Sequence, residues 1–219
     1  MVKYYIQNGN CGTEAAFKII GAKWKSTILD ACMNHHNCSY QSLKQTFPEI
    51  TESILTKQLK ELVDDEMLKI KNSNVKKSKT IYVVTKKTTA VIPIIELLNQ
   101  LADICNYNNS GYTSKVEYMK YLIGNKWKSR ILWVIYHCEV IRFNELQNSI
   151  EGISHKILIE CLNSLIENNF VIKTDYNEKS PRVEYSLTEN GKTAYKIIKM
   201  MADWCLEYKL ITPIITINY

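Results

Sequence analysis

Few residues in this chain are of the kinds that build a catalytic or metal centre by themselves. There are seven glycines in 219 residues, and none forms the spaced run whose backbone N–H groups cradle a nucleotide phosphate. The four histidines make no zinc-binding His-Glu-x-x-His pattern, and no Gly-x-Ser-x-Gly elbow is present, so an enzyme is not expected. Seven cysteines are an odd number, scattered and without a CxxC pair. That argues against a disulfide framework and for a reducing compartment. Cys32, Cys105, Cys138, Cys161 and Cys205 fall on helical stretches and read as small buried residues. His35, His36 and Cys38 match no zinc spacing, so neither metal nor cofactor is expected. No apolar run approaches the roughly 20 residues that span a bilayer, and Met1–Asn8 lacks a signal peptide's apolar stretch. From these absences a cytoplasmic protein, off the membrane, is expected.

What the chain does have, it has twice. Gly21-Ala-Lys-Trp-Lys-Ser-Thr-Ile-Leu29 returns as Gly124-Asn-Lys-Trp-Lys-Ser-Arg-Ile-Leu132. The same offset pairs Leu43 with Leu146, Leu59 with Leu162, Tyr82 with Tyr185, and Ile94-Ile95 with Ile197-Ile198. A period near 100 residues is too long for a solenoid unit and suits a whole small domain. The division expected is residues 1–110 and 111–219, the second part ending in an apolar, strand-prone tail from Leu210. The net charge of +6 permits a polyanionic partner without requiring one.

In the first copy Thr13 reads as the cap of a helix that Gly21 stops, and a second helix follows from Lys23 to about Met33 with Trp24 as a core anchor. Asn34–Ser39 reads as a polar break. Ser39 caps a short helix, Tyr40–Thr46; Phe47-Pro-Glu-Ile50 turns; Thr51 caps a longer helix from Glu52 to about Glu66. Ile54, Leu55, Leu59, Leu62 and Val63 form its apolar stripe, and Glu52, Ser53, Thr56, Lys57 and Lys60 its opposite face. A short helix, a turn and a capped longer helix with a small, basic outer face is the helix-turn-helix layout. Two strand-like runs, Met67–Lys71 and Thr80–Val84, flank a polar loop carrying Lys76, Lys77 and Lys79, the composition of a wing that holds phosphates. Lys86–Cys105 reads as a long helix, kinked or starting late at Pro93, whose excess of apolar residues suggests a helix–helix interface.

The second copy repeats the frame with a different outer face: Ser154, His155, Lys156, Ile159, Glu160 and Asn163, with Arg142 before the short helix and Lys179 and Arg182 in the wing. The fold expected is mainly α with small β-hairpins (α+β), two tandem winged helix-turn-helix domains forming a pseudo-dimer.

The units Gly-x-Lys-Trp-Lys-Ser…Ile-Leu, Phe143-Asn-Glu-Leu, Gly152-Ile-Ser-His-Lys-Ile-Leu and Pro181-Arg-Val-Glu-Tyr-Ser-Leu-Thr-Glu-Asn-Gly191 together resemble the HxlR family of winged-helix transcriptional regulators, over about 11–105 and again 114–208. Family members are normally single-domain homodimers joined through terminal helices and binding pseudo-palindromic operators. The resemblance therefore implies an intramolecular pseudo-dimer built from residues 86–105, 113–123 and 189–208, with further homodimerisation left open. Some members sense oxidants through a cysteine near the N-terminus, where this chain has Cys11; a small-molecule or redox effector is accordingly among the partners to expect.

The residues expected to meet double-stranded DNA are Ser39, Thr51, Ser53, Thr56, Lys57, Lys60, Lys76, Lys77, Lys79, Arg142, Ser154, His155, Lys156, Asn163, Lys179 and Arg182. Because the two outer faces differ, the operator expected is asymmetric. The competing expectation is a protein-interaction module in which one or both winged helices have lost DNA, favoured by Glu52 and Glu160 on those faces.

Overall fold

The computed structural model describes residues 12–34, 38–71, 80–176 and 182–211. Cys11, His35 and His36, the loop lysines Lys76, Lys77, Lys79 and Lys179, and the tail beyond Ile211 lie outside the described residues.

The first half runs α1 (Gly12–Ile20), α2 (Lys25–Asn34), β1 (Cys38–Ser39), α3 (Tyr40–Thr46), α4 (Glu52–Asp64), β2 (Leu68–Ile70), β3 (Ile81–Val84) and α5 (Lys86–Ile104). The second repeats it as α6 (Lys115–Ile123), α7 (Lys126–Cys138), β4 (Val140–Arg142), α8 (Phe143–Ser149), α9 (His155–Glu167), β5 (Val171–Asp175), β6 (Val183–Leu187) and α10 (Glu189–Glu207). These are two winged helix-turn-helix domains in tandem.

Several local expectations are corrected. Each half carries a third strand: the sheets run β1-β3-β2 and β4-β6-β5, with Cys38 opposite Tyr82 and Ile141 opposite Tyr185. Two or three residues are too few to show an alternating pattern, and only pairing with the wing reveals them. Thr13 is not a cap but lies inside α1, its hydroxyl oxygen buried without a hydrogen-bond partner among the described residues. Ile54 faces outward, 41% exposed, instead of joining the buried stripe of α4. Trp24 is half-buried at the core margin, its ring 6.5 Å from Phe47. Helix α5 continues through Pro93, giving up one backbone hydrogen bond where flanking apolar residues already hold the helix in place. The cysteines differ most: Cys32 is joined to Cys38 by a disulfide, Cys138 is exposed and Cys105 half-buried.

The caps repeat with the frame. Thr85 accepts from the Thr88 N–H and donates to the Glu66 carbonyl at 2.8 Å; Thr188 accepts from the Gly191 N–H and donates to the Asn169 carbonyl at 2.7 Å. Glu66 and Asn169 are both left-handed, at φ 58° and 57°, so one hydroxyl in each half fastens the tight turn after the long outer helix to the start of the terminal helix.

The halves interlock through their terminal helices. Helix α1 packs on α10, α6 packs on α5, and α5 packs on α10, so each half's first helix lies on the other half's last. A Cβ on Gly21 would meet the Lys120 side chain at 3.1 Å, and one on Gly124 would meet the Phe17 ring at 3.0 Å. Phe17 and Lys120 occupy equivalent places in the repeat, as do Gly21 and Gly124. Contacts that exchange when the halves exchange are what a two-fold relation produces. Trp204 is buried and its indole N–H donates to the Lys87 carbonyl at 3.1 Å; the Tyr118 hydroxyl donates to the Cys105 carbonyl at 2.7 Å; Lys115 and Asp103 pair at 2.7 Å. At Gly12 a Cβ would stand 2.7 Å from the Ala202 Cα, so glycine permits the close crossing of α1 and α10. The buried core runs through both halves and this seam. Among the described residues, no helix is long and apolar enough to cross a membrane.

Candidate nucleic-acid interface

The two outer helices are set by their caps. The Thr51 hydroxyl accepts from the Ile54 N–H at 3.3 Å, and the Ser154 hydroxyl accepts from the Ile157 N–H at the same distance. Ahead of α4, Lys44 donates to the Pro48 carbonyl at 3.1 Å and also to the Ile50 carbonyl, pinning the turn. Ahead of α9 the device is Gly152, at φ +77°, a conformation that costs glycine little. Leu55, Leu59 and Leu62 seat α4 in its half; Leu158, Cys161, Leu162 and Leu165 seat α9.

What remains outward is the candidate interface. Ser53, Thr56, Lys57 and Lys60 are exposed on α4, and His155, Lys156 and Asn163 on α9. Lys57 and Lys60 have no ion pair among the described residues. Lys156 lies 3.9 Å from Glu160, both well exposed, a solvated contact worth little and easily given up to a phosphate.

Other expected residues are already engaged within the protein. Ser39 accepts from the Ser42 N–H at 3.0 Å in a capping box and is half-buried. The Thr56 hydroxyl donates to the Glu52 carbonyl at 2.6 Å. The Thr51 and Ser154 hydroxyls accept the cap bonds and so help aim the helices. In the second wing, Arg182 donates from Nε to Glu184 at 2.8 Å and its guanidinium lies 4.6 Å from the centre of the Tyr176 ring; the Tyr176 hydroxyl donates to the same carboxylate at 2.9 Å; Arg142 lies 3.7 Å away. The hydrogen bond from Arg182 is the chief cause holding the Glu184 carboxyl below its ordinary range. Arg142 and Arg182 therefore share the Glu184 carboxylate.

Sequence reasoning passed over the lysines and arginine around the repeated tryptophans. Lys23 lies 4.8 Å from the Trp24 ring centre, and Lys126 and Arg130 lie 4.5 and 5.3 Å from that of Trp127. Trp127 borders the turn glycine: a Cβ on Gly152 would stand 3.9 Å from it. The doubled Lys-Trp-Lys signal is visible in the sequence, but only the fold brings it beside the turn.

A family model described as HxlR-like helix-turn-helix matches residues 19–109 and, separately, 122–211. The chain is 37% identical over 93 residues to a putative regulatory protein, MalR, of Fusobacterium mortiferum, spanning 42% of this chain and 88% of that protein. It is 34% identical to the HTH-type transcriptional regulator YdzF of Bacillus subtilis, over 40% of this chain and 81% of that one. Among solved structures, the redox regulator HypR in its oxidised form matches with 32% identity and a TM-score of 0.40, covering 43% of this chain and 96% of that one. Each relative is thus about one half of this molecule.

Proposed function

Because the chain belongs to the HxlR-like helix-turn-helix family of transcriptional regulators, we propose that it is a sequence-specific regulator that binds double-stranded DNA with both halves of a single chain. The division falls near residue 110, and α4 and α9 are the helices that enter the grooves. The observation that carries this reading is the exposure of two capped helix faces whose basic residues have no buried partner among the described residues. The seam between them joins terminal helices and leaves both faces in solvent. Lysines in an exposed groove-facing position release counterions from the duplex, so affinity falls steeply with salt. Ser53, Lys57 and Lys60 serve one half-site, His155, Lys156 and Asn163 the other, and the operator is asymmetric because these sets differ.

The test is a salt-dependent titration against a duplex selected from a random pool. Lys57→Ala combined with Lys156→Ala is expected to weaken binding at every sequence and to lower the slope of log affinity against log salt by about 2, one for each phosphate no longer neutralised. Unchanged affinity and slope would remove these helices from the interface. The engagement of both wing arginines with Glu184 favours a second reading of the second half, a protein partner in place of DNA; a salt slope supplied entirely by the first half would select it.

A redox effector belongs to the same proposal. Cys11 lies outside the described residues, and the bonded pair Cys32–Cys38 offers a second location. It ties the end of α2 to the strand that leads into α3. A dithiol that opened it would be oxidised to its own disulfide, leaving one thiol in α2 and one at Cys38, directly before the capping box of Ser39.

A further inference from the structure

We propose that Ile159 reads the 5-methyl group of a thymine at the half-site served by the second copy. This rests on the DNA-binding reading above and names one contact within it.

Ile159 is 38% exposed in the middle of the outer face of α9. His155 and Lys156 stand one turn before it and Asn163 one turn after, all exposed. Side chains three and four apart share a helix face, so the isoleucine is the apolar centre of an otherwise polar row. The core does not require it, because Leu158, Cys161, Leu162 and Leu165 line the buried side of α9. An aliphatic chain left in water at the centre of a binding face gains free energy only from an apolar partner. Along a major groove, the apolar feature that base edges present is the thymine methyl; the rest are hydrogen-bond donors and acceptors.

The first copy is built differently at the same register. Thr56 stands where Ile159 stands, and its hydroxyl is turned back onto the helix, donating to the Glu52 carbonyl at 2.6 Å and lying 3.5 Å from the Tyr40 hydroxyl. The exposed isoleucine of α4, Ile54, is the third residue of that helix and occupies a different register. Ile159 therefore presents a longer aliphatic reach than the single methyl of Thr56, so the demand for a thymine methyl is stronger at one half-site than at the other. This makes the asymmetry of the operator specific to a base.

The test deletes the methyl alone. Starting from the duplex that the full chain selects from a random pool, each thymine is replaced in turn by uracil, and affinity is measured for wild type and for Ile159→Ala. One replacement is expected to weaken wild type about fourfold, the worth of one buried methyl group, and to leave Ile159→Ala unaffected. Ile159→Ala should bind the unaltered site about as weakly as wild type binds the uracil site. Circular dichroism checks that the variant is folded, and loss of its fold would overturn the claim that the core does not need this side chain. The proposal fails if no thymine behaves this way, or if the loss is equal in both proteins. A chain that selects no duplex at all would overturn the DNA-binding reading itself, and this contact with it.

Discussion

Where α2 gives way to β1, the first half holds Cys32 and Cys38; at the matching places between α7 and β4 the second half holds Ile135 and Ile141, both buried. One junction is closed by a covalent bond and the other by two aliphatic side chains. Similar exchanges recur inside the common frame. Lys25 is buried with its ammonium between Glu61, at 3.0 Å, and Asp65, at 3.2 Å. Its counterpart Lys128 is buried with no carboxylate partner among the described residues, donating instead to the Tyr121 carbonyl at 3.3 Å with that ring 5.3 Å away. Thr88 donates its hydroxyl to the Met67 carbonyl, whereas its counterpart Gly191 has the Phe170 carbonyl pressed against it. A duplicated fold can keep its backbone while each half solves the same local problem with different chemistry.

Writing one half's solution into the other tests that statement. The largest effect is expected from Gly191→Thr. The new Cβ would overlap the Phe170 carbonyl, and backbone must move to admit it, at a cost of about 3 kcal/mol or more in denaturant unfolding. A loss under about 1 kcal/mol would mean the second half can adopt the first half's spacing, and the two backbones are interchangeable here.

Reduction comes next. Opening a loop as short as Cys32–Cys38 returns roughly 2 kcal/mol of chain entropy to the unfolded state. Wild type should therefore melt lower in the presence of a dithiol, while Cys32→Ile with Cys38→Ile, the second half's pair, should melt at one temperature whatever the reductant. Alkylation and mass measurement of the untreated protein check the bond directly.

The smallest effect separates the two lysines. Lys25→Met strips partners from two carboxylates that are each about a third exposed, so solvent screening limits the loss to about 1 kcal/mol. Lys128→Met removes a buried charge that lacks a carboxylate and should leave stability unchanged or raise it. Burial holds the Lys128 ammonium below its ordinary range. The unfolded chain thus binds more protons than the folded one between that lowered value and the ordinary lysine value, and stability gains from this group as pH rises through the interval. Lys128→Met should abolish that gain, which denaturation at neutral and strongly alkaline pH would show.

Much of this is legible in the residues. The outer helices and their caps are visible because Thr51 and Ser154 precede apolar residues at helical spacing, a local signal that packing only confirms. The wing strand Ile81–Val84 is visible because Thr80–Val84 is five branched or aromatic residues in a row. The third strands are not, since Cys38–Ser39 has meaning only beside Tyr82 and Ile81. Nor can Arg142 and Arg182 be seen to share Glu184, because Arg142 is brought there by β4 pairing with β6. The cysteine pair carries a signal of its own: both positions are isoleucine in the second copy, as two residues in contact within a core would be.

By itself, then, the order of residues determined the family, the duplication, the helix starts and the outward faces. These follow from periodicity, caps and repetition, which act within a few residues or between copies of one pattern. The tertiary structure alone decided that each half's first helix lies on the other half's last, that some hydroxyls and guanidinium groups are engaged within the protein while Lys57 and Lys60 form no ion pair among the described residues, and that Ile159 stands in solvent. Those outcomes depend on which surfaces meet across a hundred residues of chain, and no local spacing encodes that.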